Sequence, residues 1–190
     1  MNVDQFLDAF SMTDERYELV DGVPVEAVGA GPRHSRIQGN LLANLHVRLG
    51  DGPCEVFGAN MGLQVGEHDL RFPDAAIYCD PADVAPENDA TRFFNRPRVL
   101  FEIVSASTAD ADGLNRLIAY QRLPSVDTIV QIDSDHCILT TYVRAADNAW
   151  TMMTHPPGSS LRLRDPEIVL TSDEIFRRVP APAQPTADMG

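Results

Sequence analysis

Apolar residues at Ile37, Leu41, Leu45 and Leu49 fall on one stripe at a four-residue interval, which predicts a helix over residues 34–49. Gly50-Asp51-Gly52-Pro53 stops it. Residues 99–104 are almost wholly apolar, the pattern of a strand covered on both faces. Upstream, a helix is expected over Val3–Phe10, then a hairpin over 16–28 that turns at Asp21-Gly22, since Asp-Gly between apolar runs is a hairpin signal. Strands are expected over 55–59, 62–65 and 70–78, followed by a polar, proline-containing loop over 80–97. A turn at 105–108 leads to a helix over 111–122, with Leu114, Leu117, Ile118 and Gln121 on one side and Pro124 at its end. Further strands are expected over 126–133, 137–144, 150–154 and 167–170. Ser172 reads as the N-cap of a last helix opened by Ile175 and Phe176. Residues 180–190 have the composition of a disordered tail. The order predicts an α/β (α+β) architecture, a mixed central sheet flanked by helices with an N-terminal hairpin, in one domain over residues 1–179.

Two of these strands carry an unexpected charge. Asp74 lies inside RFPDAAIY and Glu102 inside RVLFEIVSAST, each within an apolar run. A buried carboxylate is costly unless it is paired or binds a cation. Two such acids on successive strands fit a hard-cation site, and they equally fit carboxylates satisfied by arginines or backbone amides. Pro73 removes a donor just before Asp74, which suits a strand edge or a bulge.

Composition narrows the chemistry. The net charge of −13 argues against a generally basic nucleic-acid surface, though not against a local groove. All fifteen basic residues are arginine; the chain has no lysine. Arg92, Arg96 and Arg98 form one cluster and Arg162, Arg164, Arg177 and Arg178 another, either solvated faces or part of such a groove. Cys54, Cys79 and Cys137 are scattered and odd in number, so they are expected to be small apolar fillers, neither a disulfide framework nor a zinc site. No apolar run approaches a membrane span, and MNVDQFLDAF lacks the features of a signal peptide. A cytoplasmic location is expected.

Taken in order, PDAAIY, FEIVSAST, then Asp112, Arg116 and Tyr120, and then VDTIVQID resemble the Uma-two family of restriction endonuclease-like proteins. RYELVDGVPV is similar to that family's first hairpin, and PRHSRIQGNLL to its histidine-bearing helix start. The resemblance runs from about Gln5 to Tyr142. It implies a restriction-endonuclease-like core related to the PD-(D/E)xK nucleases, with Asp74 and Glu102 as the acids that bind Mg²⁺ (or Mn²⁺). It further implies Glu18 as an additional acid and His34 as a residue lining the site. The alternative reading of Glu18 is a surface carboxylate, and that of His34 a satisfied core or capping histidine.

The chain departs from the motif at its base. Two residues after Glu102 stands Val104, where the simplest motif has lysine. The resemblance places the lysine on the next helix, and there the chain has Arg116. Arginine keeps the charge and can stabilise a phosphoryl transition state, but it cannot serve as a base. Alternatively Asp112 and Arg116, four residues apart, simply pair on the helix. The expected function is metal-dependent DNA endonuclease, with a homodimeric assembly. The alternative is a catalytically silent nuclease-like domain that binds nucleic acid or a protein partner.

Overall fold

The computed structural model describes residues 1–10, 13, 15–27, 29–88, 90–105 and 113–180, with the helical backbone at 111–112. Helix α1 (Val3–Phe10) precedes a hairpin of β1 (Tyr17–Val20) and β2 (Val23–Glu26). Helix α2 (Pro32–Leu49) follows, then β3 (Glu55–Gly58), β4 (Gly62–Gly66), β5 (Asp69–Arg71) and β6 (Ala75–Tyr78). A short α3 (Pro81–Val84), a 3-10 turn and β7 (Phe93–Phe94) lead into β8 (Pro97–Val104). Helix α4 (Ala111–Gln121) links β8 to β9 (Thr128–Asp133), which runs parallel to it. Then come β10 (Ile138–Arg144), β11 (Trp150–His155), the pair β12 (Ser160–Arg164) and β13 (Glu167–Thr171), and α5 (Ser172–Ile175).

The strands form a mixed six-stranded sheet in the order β11-β10-β9-β8-β6-β3 and a five-stranded sheet in the order β2-β1-β5-β4-β7. The architecture is α+β. Ile37, Leu41 and Leu45 of α2 are fully buried and pack with Val99, Phe101 and Ile103 of β8 on one face of the larger sheet. Truncating such a leucine to alanine costs about 2–5 kcal/mol. On the opposite face Leu100 and Ile129 pack with Tyr120 of α4. The near-continuous apolar run of β8 therefore has the two-sided cover its sequence calls for.

At the first hairpin Asp21 and Gly22 both take positive φ, 48° and 80°, the primed turn that Asp-Gly favours. Gly22 is required twice over, since a Cβ there would stand 3.2 Å from the Met1 backbone nitrogen.

Several expectations are corrected. Residues 70–78 are two strands in two different sheets, because Phe72-Pro73-Asp74 interrupts the ladder and carries the chain across the junction. The loop over 80–97 contains α3, whose N-cap Asp80 accepts from the Ala82 amide, and β7, paired parallel to β4. Strand β12 was not expected; SLRLR alternates strictly, with Leu161 and Leu163 inward and both arginines outward. The N-cap of α5 is Thr171, one residue earlier than expected, and with Glu174 it forms a capping box. On α4, Leu114 and Ile118 face solvent, while Leu117 and Tyr120 turn inward.

Cys54 and Cys79 form a disulfide, contrary to the expectation of three isolated thiols. The antiparallel pairing of β3 with β6 sets Glu55 opposite Tyr78, so the flanking cysteines meet with their Cα atoms 4.1 Å apart. Linear spacing carries no trace of that register. Among the described residues no helix is long and apolar enough to cross a membrane. The expected turn at 106–108 and the expected tail at 181–190 lie outside the described residues.

Candidate functional site

The two sheets meet at the Phe72-Pro73-Asp74 crossing, and the acidic residues gather there. Continuing the antiparallel register of β6 and β8 one step beyond Ala75 and Phe101 sets Asp74 opposite Glu102. Glu18 reaches the same place from β1 of the smaller sheet, and its Oε1 accepts the Phe72 amide at 2.9 Å. Two carboxylates from strands, Glu18 and Glu102, and one from the crossing, Asp74, thus face one cavity of about 780 Å³, which Arg116 and Tyr120 of α4 and His34 of α2 also line.

Each carboxylate has specific partners. Asp74 Oδ1 lies 2.7 Å from His34 Nε2, and Asp74 Oδ2 accepts the Ile103 amide at 2.8 Å. Gln38, one turn after His34, donates to the Asp74 carbonyl at 2.9 Å. Glu18 takes both terminal nitrogens of Arg116, Nη1 to Oε1 at 2.9 Å and Nη2 to Oε2 at 2.8 Å. Arg71 is almost fully buried behind this pair, with Nη1 3.6 Å from Glu18 Oε2. Glu102 Oε1 accepts the Tyr120 hydroxyl at 2.6 Å and lies 3.8 Å from Arg116 Nη1. Glu102 Oε2 has no protein hydrogen-bond partner among the described residues.

Burial dominates the electrostatics. It pushes the Glu102 carboxyl up to about 8; Arg116 pulls the other way, and repulsion from Asp74 and Glu18 adds to the rise. Burial likewise raises Tyr120 well above the ordinary phenol range, so it stays a donor to Glu102. Burial alone would lower Arg116, but the carboxylates of Glu102 and Glu18 outweigh it and hold the guanidinium charged.

Among the described residues no three His, Cys, Asp or Glu side chains are grouped as a metal cage. That does not conflict with Mg²⁺, which is commonly held by one or two carboxylates and completes its shell with waters and phosphate oxygens. The donor set has the right chemistry for it: two carboxylates opposite one another in a cavity, one with an oxygen that accepts no hydrogen bond from the described residues.

All five residues singled out from the sequence, Glu18, His34, Asp74, Glu102 and Arg116, line this cavity. Glu18 is buried against arginine and backbone, not a surface carboxylate. The pairing of Asp112 with Arg116 falls outside the described residues. Tyr120 entered the resemblance without a role and Gln38 was not singled out; each lies four residues after a site residue on the same helix face, which is a signal for both. Arg144 was also missed. Its guanidinium closes the C-terminal end of α4 by donating to the carbonyls of Gln121 and Leu123, which fixes the helix that carries Arg116. The first arginine cluster is a set of surface ion pairs: Arg92 with Asp8, Arg96 with Asp80, and Arg98 with Asp127.

Residues 3–171 match the family described as Uma2, putative restriction endonuclease. An uncharacterized protein of Synechocystis sp. is 23% identical over 149 residues, which is 78% of this chain and 83% of that protein. The crystal structure of a putative nuclease belonging to DUF820, from Anabaena variabilis, superposes with a TM-score of 0.76 at 17% identity. It covers 93% of this chain and 97% of the other.

Proposed function

The chain belongs to the Uma2 family of putative restriction endonucleases, and from that premise we propose that it is a divalent-cation-dependent endonuclease that hydrolyses DNA phosphodiester bonds. The observation that carries this is the opposition of Asp74 and Glu102 across β6 and β8, beside a fixed arginine in one cavity.

In this proposal Asp74 and Glu102 hold Mg²⁺ or Mn²⁺. A bound cation of that kind polarises the scissile phosphate and acidifies a water. The protein groups do the rest. His34 and the Ile103 amide fix the Asp74 carboxylate from both oxygens. Tyr120 fixes Glu102 through Oε1, and Oε2 is the oxygen this proposal gives to the cation. Arg116 supplies positive charge where charge builds on the phosphate, and it takes no proton, because a guanidinium does not deprotonate in a protein. Glu18 holds that guanidinium in place. A homodimeric assembly and a cytoplasmic location belong to the same proposal, the first checked by light scattering.

One observation favours the silent alternative: the Arg116 fork is engaged by Glu18, and both Asp74 oxygens already have protein donors. Calorimetric titration with Mn²⁺ and Mg²⁺, paired with cleavage assays on plasmid and single-stranded DNA, separates the two. The nuclease proposal expects metal binding lost in Asp74→Ala and cleavage lost in Glu102→Ala. A wild type that binds no metal, or cleavage that appears only in Arg116→Lys, would overturn it.

A further inference from the structure

We propose that the cavity takes single-stranded DNA, or the splayed end of a duplex, in preference to an intact double helix. This deepens the nuclease proposal and rests on it for the reaction, though not for the binding. The acids lie deep: the side chains of Asp74, Glu102 and Glu18 are only 13%, 12% and 8% exposed. A scissile phosphate must descend to them past α1 and the β1–β2 hairpin, whose residues form much of the cavity wall. A duplex is stiff over about 150 base pairs and carries its phosphates on a broad cylinder. A single strand bends at every nucleotide, and about 780 Å³ lies within the range of pockets that enclose a small molecule.

The wall chemistry agrees with that shape. Phe10, Tyr17 and Phe72 line the cavity and are each half-buried, and the rings of Phe10 and Tyr17 lie 4.7 Å apart. Aromatic faces in a cleft are what unpaired bases stack on, and the bases of a duplex offer none, being stacked on one another already. Two arginines on the same wall form no ion pair among the described residues. Arg16 donates to the Ala59 carbonyl and to Asn60 Oδ1 on the β3–β4 turn. Arg33 donates to the Ser134 carbonyl at 2.5 Å on the β9–β10 turn, with Cys137 Sγ at 3.7 Å. These described partners are all neutral, and a phosphate is a partner of the charge that either guanidinium carries. Glu15 and Glu26, both exposed, and the half-buried Asp135 border the same cavity. They and the net charge of −13 confine an anionic strand to the arginine-bearing positions.

Fluorescence anisotropy tests this without metal or turnover. A labelled oligodeoxynucleotide, single-stranded or annealed to its complement, is titrated with the full chain in EDTA. The single strand is expected to bind at least about ten-fold more tightly than the duplex. Tyr17→Leu and Phe72→Leu should each weaken single-strand binding by about 5- to 100-fold, with Tyr17→Phe close to wild type. Arg16→Gln and Arg33→Gln should each flatten the slope of log K against log salt by about 0.7. Equal or tighter duplex binding, no binding of either form, or indifference to both leucine variants would overturn the inference. Cleavage assays separate this from the reaction. A protein that cuts duplex as readily as single strand keeps the nuclease proposal and loses this one. A protein that prefers single strands and never cuts loses the nuclease proposal alone.

Discussion

Arg116 on α4 and Glu18 on β1, separated by 98 residues in sequence, are joined by two parallel hydrogen bonds of 2.9 and 2.8 Å. The cation that occupies the motif's lysine position is therefore pinned by an acid from the other sheet. Breaking a buried pair by removing one partner leaves an uncompensated charge, at a cost of about 3–5 kcal/mol. Arg116→Ala should lose stability of that order in urea denaturation and reduce cleavage about 10²- to 10³-fold. The double variant Glu18→Leu with Arg116→Met removes both charges and should recover much of the stability while staying inactive. If the double variant is no more stable than Arg116→Ala, the pair is not the unit described here.

Metal binding should depend on pH through Glu102. With its carboxyl pushed up to about 8, Glu102 carries a proton at neutral pH that a cation must displace. Apparent Mg²⁺ or Mn²⁺ affinity should rise with pH by up to about a decade per unit and level off above pH 8. Calorimetry in buffers of different ionisation heat should record proton release on binding. Asp74→Asn should abolish binding while keeping an acceptor for the Ile103 amide, so loss of metal without unfolding is the expected outcome.

The same carboxyl sets a stability gradient of opposite sense. Between its ordinary 4.5 and about 8 the folded protein holds a proton that the unfolded chain releases. Stability contributed by this group is therefore fully present below pH 4.5 and lost as pH rises toward 8, by at most about 1.4 kcal/mol per pH unit. Glu102→Gln should flatten this slope and melt higher than wild type at pH 8, although it removes a proposed metal ligand. A Glu102→Gln protein less stable than wild type at pH 8 would show that the Tyr120 bond and Arg116 outweigh burial.

What the sequence conveyed and what it withheld divide along a physical line. The stripe of α2, the apolar run of β8 and the Asp-Gly turn are local patterns, and each appears in the structure with small shifts of boundary. Asp74 and Glu102 were legible because a charge inside an apolar run is costly to bury and so stands out. Glu18 and His34 came from resemblance alone, since a lone acid on a short strand and a histidine at a helix start have many other uses. What stayed hidden depends on register or on a change of sheet. Nothing near Pro73 says that the strand before it joins one sheet and the strand after it another. Nothing in three scattered cysteines says that Cys54 and Cys79 flank facing residues of β3 and β6.

That disulfide ties the end of β6, the strand that begins beside Asp74. It closes a loop with a sequence separation of 25, which in the chain-entropy account stabilises the fold by about 3.5 kcal/mol. Non-reducing peptide mapping of protein purified without thiols should recover Cys54 and Cys79 in one linked pair, with Cys137 alone alkylated. Cys137 is buried and its thiol is the free one, so it should react only after partial denaturation. Cys79→Ser should lower the melting temperature under non-reducing conditions and make the protein indifferent to added dithiothreitol, whereas wild type should fall toward the variant when reduced. Because Asp74 is held by His34 and by the Ile103 amide, neither of which touches the disulfide, metal affinity should survive the substitution. A Cys79→Ser protein that keeps its melting temperature but loses metal would instead place β6 and its anchoring, not the hydrogen bonds of Asp74, in control of the site.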